Sequence, residues 1–187
     1  MATQPKSAGL TYEDLQRFPD DNLRRELIDG ELIVTPAPGG RHQDAVTELL
    51  IALGLYAREH GGKAQPAPRD VFFEDTSVVE PDVLYVSPEN LQRSEERFVR
   101  GAPDIVVEVS SPSTRRLEIV RKLELYERFG VPEYWYVDLD ADRIEIHHLE
   151  EGAYGHPRLL GRGETLTSPV VPDLEIPVDD VLGPAEG

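Results

Sequence analysis

The chain contains no cysteine, only three lysines, and a single tryptophan and methionine. Without cysteine, neither a disulfide framework nor thiolate-bound zinc can form. No apolar run approaches the roughly 20 residues that a membrane-spanning helix needs, and residues 1–10 do not follow the basic-then-apolar pattern of a signal peptide. We therefore expect a protein without membrane association, located in the cytoplasm.

Positive charges are also outnumbered by negative ones, and the formal net charge is −17 at pH 7. Proteins that bind nucleic-acid backbones normally present a basic surface, so this charge argues against tight, sequence-independent DNA binding. The acidity is uneven. Residues 104–130 hold five acids and five bases, whereas residues 138–187 hold twelve acids against three arginines. The acidity is therefore heaviest away from the segment that carries the candidate chemistry.

The length of 187 residues predicts one domain over residues 1–187, with flexible tails at 1–10 and 183–187. Thr11 and Asp14 resemble a capping box that opens a short helix to about Phe18. The Asp29-Gly30 pair between apolar runs predicts a β-hairpin over 25–34. A helix is predicted over 41–60, and strands over 71–73 and 83–86.

The second half of the chain predicts a strand–helix–strand unit. Residues 88–102 are polar and irregular with one helical turn, 105–109 form a buried strand, and a helix runs from about 114 to Phe129. A strand over 133–137 pairs with 143–149, and short edge strands follow. We therefore expect an α/β fold, with a mixed β-sheet flanked by helices. The helix should join its two strands in parallel, with a right-handed crossover.

Two acidic residues lie on apolar extended runs, Asp82 before 83–86 and Glu108 within 105–109. Alternation places Glu108 on the face opposite Ile105, Val107 and Val109. Ionised carboxylates on adjacent buried strands need compensation, and a divalent metal would supply it. This pattern favours metal-dependent hydrolysis, most simply of a phosphodiester. The alternatives are that Glu108 is solvated at the sheet rim and that Pro-Asp merely begins a strand.

Lys122 is the lysine that best discriminates between functions, since Lys6 and Lys63 lie in a tail and a loop. At 100° per residue, Lys122 falls inside the apolar arc of its helix. An inward-facing ammonium is costly without a partner, which favours a catalytic role. An ion pair with Glu118 at i, i+4 spacing and snorkelling to the surface are the other interpretations.

The turn that precedes this helix could hold a phosphate. Ser113, Thr114 and Arg115 stand at the helix N-terminus, whose free amides bind anions. Ordinary capping by Ser113 or Thr114 is compatible with that role.

His42 begins the long helix and could line the site or lie on the surface. No nucleophile elbow and no glycine-rich phosphate loop occurs in the sequence.

Several motifs in combination resemble the Uma2 family of endonucleases, within the PD-(D/E)XK (restriction-endonuclease-like) superfamily. The resemblance covers about residues 11 to 180. Its elements are Arg25-Glu26-Leu27-Ile28-Asp29-Gly30-Glu31-Leu32, Glu80-Pro81-Asp82-Val83, Pro103-Asp104-Ile105-Val106-Val107-Glu108-Val109 with Ser111-Pro112-Ser113-Thr114, Lys122, Tyr126, and Gly130-Val131-Pro132-Glu133-Tyr134-Trp135.

The resemblance implies a restriction-endonuclease-like sheet flanked by helices and one or two Mg²⁺ ions, with Mn²⁺ as a substitute. It implies that Asp82, Glu108 and the Val109 carbonyl bind the metal and that Glu26 completes the acidic cluster. It also implies that Lys122 supplies positive charge and that Tyr126 lines the site. The superfamily lysine two residues after the glutamate is replaced here by Ser110, and the Uma2 pattern moves that lysine to the following helix.

The sequence thus favours a Mg²⁺-dependent endonuclease acting on nucleic acid, with DNA first, and a homodimer. Two alternatives stay open. One is a non-catalytic interaction module with the same fold. The other is a hydrolase of a small phosphodiester or nucleotide, which suits the acidic charge better.

Overall fold

The computed structural model of the chain describes residues 9–19, 21, 23–36, 39–110 and 116–185, and of residues 116–118 the backbone only. The helices are α1 Tyr12–Leu15, α2 Gly40–His60, α3 Arg116–Arg128 and α4 Val178–Leu182, with a 3₁₀-helix at Pro88–Arg93. The strands are β1 Arg24–Ile28, β2 Glu31–Thr35, β3 Lys63–Pro66, β4 Asp70–Glu74, β5 Ser77–Val79, β6 Val83–Val86, β7 Phe98–Arg100, β8 Ile105–Val109, β9 Glu133–Asp138, β10 Arg143–Glu150, β11 Ala153–Tyr154, β12 Arg158–Gly161, β13 Thr165–Leu166 and β14 Ile176–Pro177.

The larger sheet has the order β11-β10-β9-β8-β6-β3, and β12 also pairs with β10. β6 runs antiparallel to β8, with Val83 opposite Val107. β8 runs parallel to β9, with Val107 opposite Trp135, and α3 connects the two. The mixed sheet, the parallel crossover and the β9–β10 hairpin predicted from the sequence are therefore confirmed. β6 is an interior strand, so Asp82 stands at the start of a central strand and not at an edge.

A smaller sheet of order β2-β1-β5-β4-β7 accompanies it, where the sequence predicted a single sheet. Its β1–β2 hairpin turns at Asp29 and Gly30, whose φ angles of 53° and 77° match the expected turn. Gly30 also lies against the backbone of Gly9, where a Cβ would stand 2.6 Å from the Gly9 Cα. The turn therefore requires glycine for two reasons.

Two apolar clusters divide the interior. Ile105, Val107 and Val109 pack with α2 and α4 on one face of the larger sheet. Leu84 and Val106 pack on the other face, against α3 and the smaller sheet. The alternation predicted for residues 105–109 is thus confirmed. The second face carries both candidate carboxylates, because Asp82 and Glu108 alternate in step with Leu84 and Val106.

The C-terminal segment is tied to the core by a buried carboxylate. Glu133 is fully buried, and its Oε2 accepts hydrogen bonds from Trp135 Nε1 and Ser168 Oγ, both at 2.7 Å. Short strands β11 and β12 pair with β10 as the expected edge strands, whereas β13 and β14 form a separate two-stranded sheet. Helix α4 was not predicted from the sequence. No helix within the described ranges combines the length and apolarity that crossing a membrane requires.

Candidate active site

The register of β6 against β8 brings Asp82 and Glu108 together. Val83 lies opposite Val107, so the next pair along the antiparallel ladder is Asp82 and Glu108. Directly opposed residues of an antiparallel pair project from the same face. Asp82 is 2% exposed and Glu108 8% exposed. The expected pair of buried carboxylates on adjacent strands is therefore present.

Asp82 is surrounded by donors on both carboxylate oxygens. Oδ1 accepts a 2.7 Å hydrogen bond from Arg24, and Oδ2 accepts one of 2.8 Å from the Val109 N–H. His42 Nε2 lies 3.0 Å from Oδ2 and donates there, because an ionised carboxylate only accepts. Burial alone would raise the pKa of Asp82. The His42 hydrogen bond and the Arg24 charge outweigh burial and hold the pKa well below its usual range.

Glu108 and Glu26 share the ammonium of Lys122. Lys122 Nζ lies 2.9 Å from Glu108 Oε1 and 2.8 Å from Glu26 Oε1. Tyr126 donates a 2.6 Å hydrogen bond to Glu108 Oε1, and the Glu80 N–H donates one of 2.8 Å to Glu26 Oε1. Burial raises the pKa of Glu108 above its usual value against the opposing charge of Lys122. The second oxygen of each glutamate accepts no hydrogen bond from the described residues.

Lys122 faces inward, as its helical angle predicted, and is 7% exposed. Its partners come from β1 and β8, so its ion pairs do not need Glu118, whose side chain lies outside the described residues. Burial alone would lower the pKa of Lys122. The charges of Glu108 and Glu26 outweigh burial and raise the pKa above its usual value. The ammonium therefore stays protonated near neutral pH.

These side chains line one cleft of about 550 Å³, part of which is open to solvent. The cleft lies between the two sheets and the start of α2, and its lining is Arg24, Glu26, Ile33, Thr35, Pro36, His42, Asp82, Glu108, Val109, Ile119, Lys122, Tyr134 and Tyr136. Three carboxylates and two permanent cations thus meet in a single partly enclosed space. Low-dielectric walls strengthen every charge interaction there.

The donor chemistry of the cleft fits a hard divalent cation. Carboxylate oxygens are the ligands that Mg²⁺ and Mn²⁺ prefer, and Glu26 and Glu108 each keep one oxygen free of hydrogen bonds from described residues. Within the described part of the chain, no three His, Asp or Glu side chains are already arranged around one metal position. Mg²⁺ usually takes only one or two protein carboxylates and keeps several waters. Asp82 and Glu108 would therefore suffice as side-chain ligands.

Among the described residues, two buried atoms of the cleft lining have no hydrogen-bond partner, the Tyr134 hydroxyl and His42 Nδ1. Tyr134 is 1% exposed, and its ring lies 5.2 Å from that of Tyr126. Buried polar groups are normally satisfied, by protein or by ordered water. The Tyr134 hydroxyl, which no described residue contacts by a hydrogen bond, can therefore bond to a molecule bound in the cleft.

Removal of the Tyr126 hydroxyl and removal of the Tyr134 hydroxyl should affect stability differently. Tyr126→Phe deletes the donor to Glu108 and is expected to lower the free energy of unfolding by about 1–2 kcal/mol. Tyr134→Phe deletes a hydroxyl that has no partner among the described residues, and it is expected to leave that free energy unchanged or to raise it by up to about 1 kcal/mol. Urea unfolding of both variants measures the difference. Equal losses would mean that Tyr134 has a protein partner in solution.

The cleft brings together most of the residues chosen from the sequence, namely Asp82, Glu108, Lys122, Glu26, Val109 and His42. Tyr126, expected to line the site, contacts Glu108 through its hydroxyl but does not line the cleft. The contact described for Val109 uses its N–H. Ser113, Thr114 and Arg115, predicted to bind phosphate, lie outside the described residues. Sequence reasoning missed Arg24 and Tyr134. Arg24 stands two residues before Glu26, on the same face of β1, so strand alternation from Glu26 could have found it.

Comparison with known proteins agrees with this fold. The Uma2 family model, described as "Putative restriction endonuclease", matches residues 12–179. A solved structure described as "a putative nuclease belonging to DUF820" from Anabaena variabilis ATCC 29413 superposes with a TM-score of 0.78, at 17% sequence identity. The alignment covers 92% of this chain and 97% of that one, and it establishes a shared fold. No curated protein matches the chain. The family model spans most of the sequence, and the chain therefore belongs to the Uma2 family, with the restriction-endonuclease-like fold expected of it.

Proposed function

We propose that the protein hydrolyses phosphodiester bonds in a reaction that depends on Mg²⁺ or Mn²⁺, with DNA as its substrate and endonucleolytic cleavage as its activity. The observation that carries the proposal is the contact of Lys122 Nζ with Glu26 and Glu108, at 2.8 and 2.9 Å, beside the buried carboxylate of Asp82. Separate strands and a helix supply these groups, and a purely structural ion pair would not need three carboxylates.

Asp82 and Glu108 would hold the ion, together with the Val109 carbonyl. Bound there, Mg²⁺ or Mn²⁺ would lower the pKa of a coordinated water and neutralise charge on the phosphate. The low pKa of Asp82 keeps this ligand ionised. The Val109 N–H and His42 fix the orientation of its carboxylate, as hydrogen-bond partners of metal ligands do.

Lys122 acts in this proposal as a fixed positive charge. The charges of the neighbouring carboxylates raise its pKa, which favours the protonated ammonium. Its ammonium instead stabilises the negative charge that develops on the phosphate in the transition state. Glu26 positions that ammonium, and Tyr126 holds Glu108.

The acidic surface limits how the substrate is bound. With a net charge of −17, the protein gains little from general attraction to a phosphate backbone, so affinity must come from the metal and from local contacts. Ser113, Thr114 and Arg115 are proposed on the sequence alone to hold a flanking phosphate.

The homodimer and the cytoplasmic location belong to the same proposal and also rest on the sequence.

Cleavage assays test the proposed activity and its substrate. Supercoiled plasmid, single-stranded DNA, RNA and a bis-aryl phosphodiester should be incubated with Mn²⁺ or with EDTA. Nicking or linearisation of plasmid with Mn²⁺ and none with EDTA is expected. Cleavage of the small ester alone would replace DNA by a small phosphodiester as the substrate class. Failure on all four would favour the non-catalytic alternative.

A further inference from the structure

Arg24, the first residue of β1, forms an ion pair that spans the two sheets. Its guanidinium lies 2.7 Å from Asp82 Oδ1, and its side chain is 19% exposed. Glu26, two residues along the same face, receives the ammonium of Lys122. Two cations thus already compensate the carboxylates of the cleft, and one of them contacts the acid proposed to bind metal.

Asp82 has no oxygen free of donors. Arg24 occupies Oδ1, while the Val109 N–H and His42 occupy Oδ2. By contrast, Glu26 and Glu108 each have one oxygen that accepts no hydrogen bond from the described residues. A divalent cation that binds Asp82 would therefore share its carboxylate with a guanidinium. The two positive charges repel each other, and the partly enclosed cleft screens this repulsion less than bulk water does.

We propose that Arg24 is an internal counter-ion, which holds Asp82 Oδ1 in the metal-free protein, yields it to the metal, and then binds a phosphate oxygen of the substrate. This inference rests on the proposed function. Arg24 lines the same cleft as Lys122 and Glu108, so a guanidinium released from Asp82 stays within it. A planar guanidinium matches the geometry of a phosphate. Metal and substrate binding would thereby be coupled through one side chain.

If the Arg24–Asp82 ion pair were purely structural, the removal of Arg24 would change metal affinity in the opposite direction. If Arg24 only orients Asp82, its removal loosens a metal ligand, and metal affinity falls about 10- to 100-fold, as for other partners of metal ligands. If Arg24 competes with the metal, its removal leaves Asp82 Oδ1 free, and metal affinity rises. The sign of the change therefore distinguishes the two roles.

Arg25 provides a matched control on the same strand. It projects from the opposite face of β1 and pairs with Asp21 at 2.6 Å. Arg24→Met and Arg25→Met each remove one positive charge from an ion-paired arginine of β1. A change caused by net charge alone should therefore appear in both variants.

Calorimetric titration of the metal-free protein with Mn²⁺, without substrate, supplies the test. Arg24→Met is expected to bind Mn²⁺ about tenfold more tightly than the wild type, and Arg25→Met to bind it with unchanged affinity. The melting temperature of Arg24→Met should fall without metal and recover with Mn²⁺. Arg24→Gln repeats the measurement if circular dichroism shows that Arg24→Met is unfolded.

Nicking of supercoiled plasmid at saturating Mn²⁺ tests the second half of the inference. Arg24→Met should lower kcat/KM about 10- to 100-fold although it binds metal more tightly. Arg24→Lys, which keeps the charge, should restore wild-type Mn²⁺ affinity and part of kcat/KM.

The outcomes separate this inference from the function on which it rests. The first outcome is that the wild type binds Mn²⁺, that Asp82→Asn abolishes this binding, and that Arg24→Met binds Mn²⁺ equally or more weakly. This outcome would overturn the role of Arg24 and leave the metal site intact. Absence of Mn²⁺ binding by the wild type would overturn both. An unchanged kcat/KM in Arg24→Met would overturn the contact with substrate.

Discussion

Asp82→Asn and Glu108→Gln are each expected to lower Mn²⁺-dependent plasmid cleavage by about 10³-fold or more. Each substitution keeps the shape of the side chain and removes the negative charge that would hold a divalent ion. Asp82→Asn also leaves the Arg24 guanidinium without its anionic partner. It should therefore lower the free energy of unfolding by about 2 kcal/mol. A fully buried ion pair would lose more, but Arg24 is partly exposed and solvent screens its charge.

Asp104→Asn is the matched control for Asp82→Asn. Asp104 lies directly before β8 and is also buried. It accepts hydrogen bonds from the Ser87 N–H and Asn90 Nδ2, and it does not line the cleft. Its substitution should lower stability and leave cleavage unchanged. Plasmid nicking over time, with urea unfolding of each variant, measures both effects. Loss of cleavage in Asp104→Asn as well would assign the effect to folding and not to the metal.

Lys122→Met is expected to lower cleavage by about 10²- to 10³-fold, because a preorganised charge near the reacting phosphate typically contributes that much. It should also lower the free energy of unfolding by about 3–5 kcal/mol, because Glu26 and Glu108 would then be buried without a cation. Methionine keeps most of the side-chain volume, so the loss of packing stays small. Lys63→Met, which changes an exposed lysine of β3, should alter neither quantity.

The loss of stability in Lys122→Met should depend on pH. Glu108 already has a folded-state pKa above its unfolded value of about 4.5, and removal of Lys122 raises it further. A group of this kind contributes stability below the unfolded pKa and loses it as pH rises through the folded pKa. Lys122→Met should therefore lose more stability relative to the wild type at pH 8 than at pH 5. Equal losses at both values, or full cleavage activity, would contradict the role assigned to Lys122.

Features that depend on local periodicity could be predicted from the sequence. Alternation along residues 105–109 placed Glu108 on the face that it occupies, and the helical angle of Lys122 placed its ammonium inside. The Asp29-Gly30 turn and the parallel crossover followed from backbone sterics. Each of these signals lies within one element or one connection, where few alternatives compete.

Features that depend on packing between distant elements could not be predicted. Strands β5 and β7 have three residues each, and burial against neighbouring strands outweighs their weak local pattern. These two strands belong to the smaller sheet, which was not predicted. The Arg24–Asp82 pair joins residues 58 positions apart across those two sheets. Alternation from Glu26 gives the face of Arg24, but neither strand by itself signals the contact with Asp82. The unpaired Tyr134 hydroxyl is likewise visible only once the cleft is assembled.

A shared ion between Asp82 and Glu108 can be tested without any assumption about substrate, by calorimetric titration of the metal-free wild-type protein, Asp82→Asn and Glu108→Gln with Mn²⁺. Stoichiometric binding by the wild type, lost in both variants, is the expected result. Binding of equal strength in all three proteins, or in none, would contradict a metal site at these two strands.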